Sequence, residues 1–345
     1  MGRPRVRAIV QDRYGPSSVL RIAELPVPTI ASGEVLVEVH AASMHADVWH
    51  AVTGVPLVLR VMGSGLRRPK QPVPGIDVSG VVVAVGSEVA NFAAGDPVFG
   101  ETTRRQQWTN GGAFAEYAAV PAVALARKPE RLSHVEAAAV PTSGLIGVQV
   151  VEDEGRVKTG QAVLVNGAGG GVGVFALQIA KAAGAVVTAV DHGDKLEALT
   201  RLGADEVVDY TTTDVTERPG IYDVFIDVAG TRPPRRARRA VRADGAYVLV
   251  GHDHYGADRR EWVGSIARFA GMMAVSPLVS QYHVRFPRPR ESRMHRIVEL
   301  IESGQLSPLV DRVFPLDQVP QALDHLTTGR FIGKIVIQVA VAETN

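Results

Sequence analysis

The stretch QAVLVNGAGGGVGVFALQIAKAAGAVVTAVD, residues 161 to 191, decides the fold. It opens with a buried-strand pattern, Ala162 to Val165, then turns through Gly167, Gly169, Gly170, Gly171 and Gly173. A helical run follows, in which Val172, Ala176 and Ala180 lie one turn apart and Phe175 sits above Ile179. Gly184 is placed to end that helix, because a left-handed C′ position suits a residue without Cβ. A second strand, Val186 to Val190, ends in Asp191. Strand, glycine turn, helix and strand make one βαβ unit.

The chemistry of such a unit is anion binding. Glycines let the backbone approach a pyrophosphate, and N–H groups at the helix start point at it. An acid about 20 residues further on can take the ribose hydroxyls of a dinucleotide. The strict G-x-G-x-x-G pattern is not met, because Val172 holds its last position; Gly167, Gly170 and Gly173 fit G-x-x-G-x-x-G instead. A glycine cluster alone reads as a flexible loop. Between a strand and a helix, with Asp191 closing the next strand, it reads as a dinucleotide site.

The wider composition bounds the remaining possibilities. A chain of 345 residues is about two domains' worth, and 46% hydrophobic content is ample for globular cores. A net charge of +1 provides no electrostatic reason to expect a nucleic-acid partner. The basic run RRARR at 235–239 and the arginines over 285–296 read as solvated helix faces, with an anion-attracting rim as the alternative. The absence of cysteine excludes disulfides, thiolate metal sites and cysteine nucleophiles, and suits a reducing compartment. No apolar run reaches about 18 residues, so no membrane span is expected. The start, MGRPRVRAIV, is basic without the apolar segment of a signal peptide, and a cytoplasmic location is expected.

Residues 5–130 are β-rich. Val6–Val10, Val19–Ile22, Val35–Val39 and Val81–Val85 are β-branched runs separated by Gly/Pro turns, a spacing that suggests a barrel or sandwich. Pro56–Pro74 and Glu101–Asn110 are long loops. From Leu132 helices alternate with strands, beginning with a capping box, Ser133 and Glu136. Strands Glu206–Asp209, Tyr222–Val228 and Ala246–Val250 complete a parallel doubly wound sheet. Its carboxyl ends would align Asp191, Tyr210, the turn Asp227–Gly230 and Gly251-His252 along one crevice. The apolar run AGMMAVSPLV (270–279) reads as a last strand, followed by a helix over Ser292–Ser303. The tail returns to β character in LVDRVFPL and KIVIQV. The fold class is thus α/β plus β. The expected domains are a first domain at 1–130, a nucleotide domain inserted at 131–284, and a return segment at 285–345.

Several ordered motifs over nearly the whole chain carry a family resemblance. They are VPGIDVSGVVVAVG, AAGDPVFG, GAFAEYAAVP, AAAVPTSGLIG, VLVNGAGGGVG, RLGADEVVDYT, PLDQVPQALDHL and GRFIGKIVI. With them the chain resembles the medium-chain dehydrogenase/reductase superfamily, and most closely its zinc-free quinone-oxidoreductase-like branch. The resemblance implies a GroES-like barrel, an inserted Rossmann domain and an active site in the cleft between them. By ungapped spacing, the catalytic zinc ligands of zinc members fall on His45, Ile76 and Ala139, one possible ligand of three. The four-cysteine structural site is impossible. His40, His45 and His50, five apart, and His252 and His254 flanking Asp253, read as ordinary loop or crevice histidines; no metal is expected.

Without a metal, hydride delivery to an already polarised acceptor is the easier chemistry. A quinone or conjugated enone takes hydride at carbon while charge moves to oxygen, and the protein supplies orientation and donors. The candidate donors are His45, Trp49, His50 and Thr142; loop packing or helix capping is the other reading of each. Members of the family commonly carry Asn at the position of His45 and Thr at that of Ile146. The expected cofactor contacts are Asn166, Gly167, Ala168, Gly169, Gly170, Gly171, Val172, Asp191, Lys195, Tyr210, Val228, Gly251 and Lys334. Asp191 favours NAD(H), because a carboxylate repels a 2′-phosphate. Lys195 and Tyr210 match positions that NADPH-using members employ, and they tip the expectation to NADP(H). A homodimer paired through 270–279 is expected from the family. Two alternatives stay open: a zinc-independent alcohol dehydrogenase, and a dinucleotide-binding redox sensor or scaffold with little catalysis.

Overall fold

The β-branched runs separated by turns become strands, and the three-to-four periodic runs become helices. The computed structural model describes residues 4–103, 111–251, 262–263, 266–282 and 288–340. In chain order the strands are β1 (Arg5–Val10), β2 (Arg21–Pro26), β3 (Glu34–Met44), β4 (Asp77–Val85), β5 (Pro97–Glu101), β6 (Tyr117–Pro121), β7 (Leu125–Arg127), β8 (Ala162–Asn166), β9 (Val186–Asp191), β10 (Glu206–Asp209), β11 (Tyr222–Asp227), β12 (Val241–Leu249), β13 (Val310–Pro315) and β14 (Lys334–Gln338). The helices are α1 (Ala46–Thr53), α2 (His134–Ala138), α3 (Pro141–Val148), α4 (Gly173–Ala182), α5 (Leu196–Arg201), α6 (Pro234–Ala237), α7 (Ile266–Val275), α8 (Arg290–Glu302) and α9 (Val319–Thr327).

The chain divides into two compact units. The first holds the described residues of Met1–Thr142, Tyr255–Gly264 and Leu309–Asn345. Its seven-stranded sheet runs β13-β14-β3-β4-β5-β7, with β6 also on β3, and β1 pairs β2 separately. β3 is the hub because its alternation is strict: Val35, Val37 and Val39 are buried on one face. Gly80 of β4 is required there, since a Cβ would stand 1.9 Å from the Glu38 carbonyl oxygen. Trp49, Phe114, Leu323 and Ile337 fill the core against β3. Antiparallel pairing of β14 with β3 brings the tail back into this unit, as the β character of KIVIQV predicts.

The second unit holds the described residues of Ser143–His254 and Ser265–Pro308. Its five strands are all parallel, in the order β10-β9-β8-β11-β12. Val163, Leu164 and Val165 of the central β8 are completely buried, as strands covered on both faces must be. Chain order reverses between β8 and β11, the switch point at which such sheets bind ligands. Gly184 (φ 81°) closes α4, and Gly203 (φ 97°) follows α5 in the same left-handed conformation.

Two sequence expectations are corrected. Residues 266–275 form α7, not a strand. Met272 is buried while Met273 and Val275 are exposed; a short apolar run does not distinguish the two periods by itself. The expected pairing of two copies through an edge strand at 270–279 therefore loses its strand. The return to the first unit also starts later than residue 285. α8 stays with the second unit, where Ile297, Leu300 and Ile301 are fully buried and the Arg293 guanidinium donates to the Leu145 carbonyl (3.0 Å). The loop Pro56–Pro74 contains a helical turn over Arg60–Ser64, and most of Glu101–Asn110 lies outside the described residues. Among the described residues no helix is long and apolar enough to cross a membrane.

Candidate active site

The glycine turn joins β8 to α4. Gly167 adopts φ 78°, and a Cβ on Gly173 would stand 2.1 Å from the Gly167 carbonyl oxygen. The turn thus folds back on the helix start only with glycine at 173. The N–H groups of Gly171 and Val172 have no hydrogen-bond partner among the described residues. These are the donors that a phosphate would complete. Ala168 is fully buried beneath the turn.

Asp191 ends β9 beside this turn. Its Oδ2 accepts from the Gly169 N–H (2.7 Å), and its Oδ1 accepts from the His192 N–H (2.8 Å) and lies 3.2 Å from Lys195 Nζ. The carboxylate therefore locks the glycine turn as well as lying where a ribose is expected. A Cβ on Gly169 would meet both Asp191 and Lys195, so this ion pair sits directly over the second glycine. Tyr210 is half exposed, with its ring edge-on to His192 at 6.1 Å.

Asn166, Val228 and Gly251 lie at the carboxyl ends of β8, β11 and β12. Asn166 Nδ2 donates to Asp227 Oδ1 (2.8 Å), which also accepts from the Gly230 N–H (2.9 Å); Asp227 Oδ2 accepts from the Tyr247 hydroxyl (2.8 Å). Burial pushes the Asp227 carboxyl above its usual range, and these three donors offset that. Asn166 thus holds the site's floor through Asp227. A Cβ on Gly251 would stand 1.7 Å from the Val228 carbonyl oxygen, so only glycine lets β12 end against that turn. His252, Asp253 and His254 lie outside the described residues.

The four candidate donors belong to the first unit. His45 is the N-cap of α1: its Nδ1 accepts from the Asp47 N–H (3.3 Å) and lies 3.2 Å from Asp47 Oδ2. A neutral ring used this way carries its proton on Nε2, which leaves that N–H as a donor. Trp49 is buried in the core, edge-on to His50. The His50 ring is buried too. Its Nδ1 lies 2.5 Å from the Val55 carbonyl oxygen, and burial lowers its pKa. Trp49 thus packs beside His50, and the Nδ1 of His50 is engaged by the turn that follows α1.

Thr142 and Lys334 lie in a buried polar cluster that the sequence does not announce. Asp77 is its centre. Asp77 Oδ1 accepts from the Thr142 N–H (3.0 Å) and hydroxyl (2.5 Å), and Oδ2 accepts from the Ser43 hydroxyl (2.8 Å) and from Lys334 Nζ (3.4 Å). The Thr142 oxygen is also 2.6 Å from Glu101 Oε1, so its one proton is already contested by two carboxyl groups. Lys334 is only 2% exposed; burial lowers its pKa, and the charges of Asp77 and Asp47 pull it back up. Asp77, Glu101 and Ser43 have no metal-ligand or catalytic spacing. Their only trace in sequence is the position of Asp77 inside VPGIDVSG.

Zinc does not fit the positions at which zinc relatives bind it. Ile76 and Ala139 are buried and have no donor atom, and no group of three or more His, Asp or Glu that could hold a metal occurs among the described residues. A nicotinamide dinucleotide does fit the second unit, on the open N–H groups of the glycine turn, Asp191 with Lys195, and the clearance at Gly251 against Val228.

Comparison with known proteins places the chain in a family. A family model described as an alcohol dehydrogenase GroES-like domain matches residues 31–130, and one described as a zinc-binding dehydrogenase matches residues 202–337. The mouse (Mus musculus) protein named NAD(P)H oxidoreductase RTN4IP1, mitochondrial, is 30% identical over 96% of this chain and 89% of its own length. The 2-methylene-furan-3-one reductase of Solanum lycopersicum is 31% identical over 94% of this chain and 76% of its own. The structure of the quinone oxidoreductase from Coxiella burnetii superposes with a TM-score of 0.84 at 26% identity, covering 98% of this chain and all of that one. With the parallel sheet, its glycine turn and the β-rich first unit already in view, the chain belongs to the medium-chain dehydrogenase/reductase superfamily, in its quinone oxidoreductase-like branch.

Proposed function

We propose that this protein is a zinc-independent NAD(P)H-dependent reductase of quinones and conjugated enones, with NADPH preferred. The carrying observation is the pair of unpartnered N–H groups at Gly171 and Val172 next to the Asp191–Lys195 ion pair. When bound, the dinucleotide supplies the hydride. The turn's N–H groups hold its diphosphate. Lys195 partly neutralises Asp191, which weakens the repulsion an isolated carboxylate would exert on a 2′-phosphate. Lys195, His192 and Tyr210 then offer that phosphate a cationic and aromatic rim. The relatives' names support the substrate class, since a 2-methylene-furan-3-one is itself a conjugated enone.

His45 is the donor we assign to the acceptor's oxygen, where negative charge gathers as the hydride arrives. Its Nδ1 is engaged by α1, and its Nε2 N–H remains to offer. Asp77, Lys334 and Ser43 hold Thr142 at the start of α3, so these residues position the backbone and are not given a proton-transfer step.

Steady-state oxidation of NADPH and NADH, with a quinone and a simple vinyl ketone as acceptors, tests the reading. Turnover with NADPH that survives exhaustive chelation supports it. Tight NADPH binding with no turnover on either acceptor class would instead favour a sensor or scaffold, and oxidation of simple alcohols alone would favour a dehydrogenase. An NADH preference of about a hundredfold, near 2.7 kcal/mol, reverses the cofactor assignment. We further propose a homodimer in the cytoplasm. Exposed Met273 and Leu278, in and after α7, offer apolar surface that a second copy could cover, and the cysteine-free chain suits a reducing compartment.

A further inference from the structure

We propose a second anion site at the opposite end of the parallel sheet, built by Arg235, Arg238 and Arg239, for a small soluble ligand bearing two or more phosphates. α6 and the helical turn after it carry the RRARR run into a cleft of about 970 Å³, whose lining includes Arg235, Arg236, Arg238, Arg239, Gly220 and Gln281. Gly220 precedes β11 and Val241 opens β12, so the cleft lies at the amino ends of these strands. The glycine turn and Gly251 lie at their carboxyl ends. Six residues of β11 separate the two ends by roughly 20 Å, so this is not part of the dinucleotide site.

The positive charge there is not neutralised by the protein. Arg236 is committed to Asp214 (2.8 Å), which Arg232 also contacts (3.1 Å). Arg238 Nη1 donates to the neutral Gln281 Oε1 (2.9 Å), while its Nε is buried with no partner among the described residues. Arg235 and Arg239 are exposed and make no side-chain hydrogen bond or ion pair among the described residues. They stand four residues apart on one helical stretch, where like charges repel. None of the described residues lining the cleft carries a carboxylate.

The arginines are also held in place. Gln281 Nε2 donates to the carbonyls of Val241 (3.1 Å) and Arg242 (2.8 Å), which turns its oxygen to Arg238. The Gly220 and Ile221 N–H groups donate to the carbonyls of Arg239 (2.9 Å) and Ala240 (3.1 Å), tying the arginine turn to the entry of β11. Guanidinium forks match phosphate oxygens two at a time, and the two open forks of Arg235 and Arg239, with the charge of Arg238 beside them, ask for more than one phosphate group. The cleft's volume is that of a small-molecule site. A concave pocket on a chain of net charge +1 does not fit a nucleic-acid track.

The test is calorimetric titration of tripolyphosphate into the full-length protein saturated with NADP⁺, at an ionic strength of about 0.15 M. One ligand per chain is expected, with affinity reduced at least about tenfold in R235Q/R239Q. NADPH binding and the melting temperature of the ligand-free variant should match wild type; R239Q alone is the second variant if the double one folds poorly. The same titration without NADP⁺ keeps the result independent of the cofactor assignment. Equal binding by wild type and R235Q/R239Q overturns the proposal, as does binding that vanishes at this ionic strength. Tighter capture of short single-stranded DNA, or of phosphatidylcholine vesicles containing phosphatidic acid, than of tripolyphosphate also overturns it.

Discussion

The two units differ in the polar groups they leave open. In the first, Asp77 takes up hydrogens from Ser43, Thr142 and Lys334 inside the protein, and His45 and His50 spend ring nitrogens on α1 and its following turn. In the second, Gly171 and Val172 keep open N–H groups at one end of the sheet, and Arg235 and Arg239 keep open charge at the other. Closed networks hold a scaffold, and open ones are completed by something the chain does not contain. Residue type alone does not separate the two, because Lys334 and Lys195 are both lysines paired to aspartate, one sealed and one beside the glycine turn.

The largest effect expected from breaking this contrast is at Lys334. Lys334→Met leaves Asp77 buried without its cation and should lower unfolding free energy by about 3–5 kcal/mol, read by chemical denaturation. A loss under about 1 kcal/mol would mean that the cluster is open to water, against the difference drawn here.

One titratable group in each unit should contribute pH dependence of opposite sign. In the second unit, burial raises Glu154 from 4.5 to about 7, even with the Gln149 amide donating to it at 2.7 Å. A raised carboxyl binds its proton more tightly when folded, so its stabilisation is full below pH 4.5 and is lost as pH rises through about 7. That loss is roughly 3 kcal/mol, and Glu154→Gln should flatten it. In the first unit, burial beside His40 lowers His134 from 6.5 to about 4. Its unfolded state takes up the proton first, so stability is present above pH 6.5 and falls as pH drops through about 4. Melting curves of Glu154→Gln and His134→Gln across pH 4 to 8 should lose opposite limbs of the wild-type profile. Two variants with unchanged profiles would remove both assignments.

Gly173→Ala places a Cβ against the Gly167 carbonyl and should reduce kcat/KM for NADPH roughly 100-fold, since overpacking a tight turn costs about 1–3 kcal/mol. Unchanged kinetics would dissociate the turn from the cofactor. The smallest change is expected at His45. Losing one neutral donor to the acceptor's oxygen should lower kcat about tenfold in His45→Ala, and the cap of α1 costs a further ~1 kcal/mol of stability. His45→Asn retains a capping oxygen, so it should restore the stability; kcat equal to wild type in both variants would leave His45 as a cap alone.

Much of both units was legible where the determinants are local. The capping box of Ser133 and Glu136 forms as expected, with the Ser133 Oγ accepting from the Glu136 N–H (3.2 Å). Gly184 and Gly203 stand at positive φ where each helix ends. The run at 270–279 failed for the opposite reason. Its residues are apolar without a clear period, and packing of Met272 onto the second unit's core selects helix over strand. The arginine run was visible, but its two readings differ only in whether carboxylates come near it. That is a matter of chain path, and Asp214 reaches Arg236 but not Arg235 or Arg239.

By itself the amino-acid sequence determined the βαβ unit, the glycine turn and the order of β-rich and alternating segments. Each rests on side-chain period and backbone freedom within about thirty residues. Tertiary structure alone decided what the polar residues do. Lys334 meets Asp77 across 257 residues of chain, and Thr142 meets Asp77 across 65. Whether a lysine or threonine is sealed in a network or offered to a ligand depends on which distant strands close over it, because the energy of a polar group is set by its surroundings and not by its neighbours in sequence.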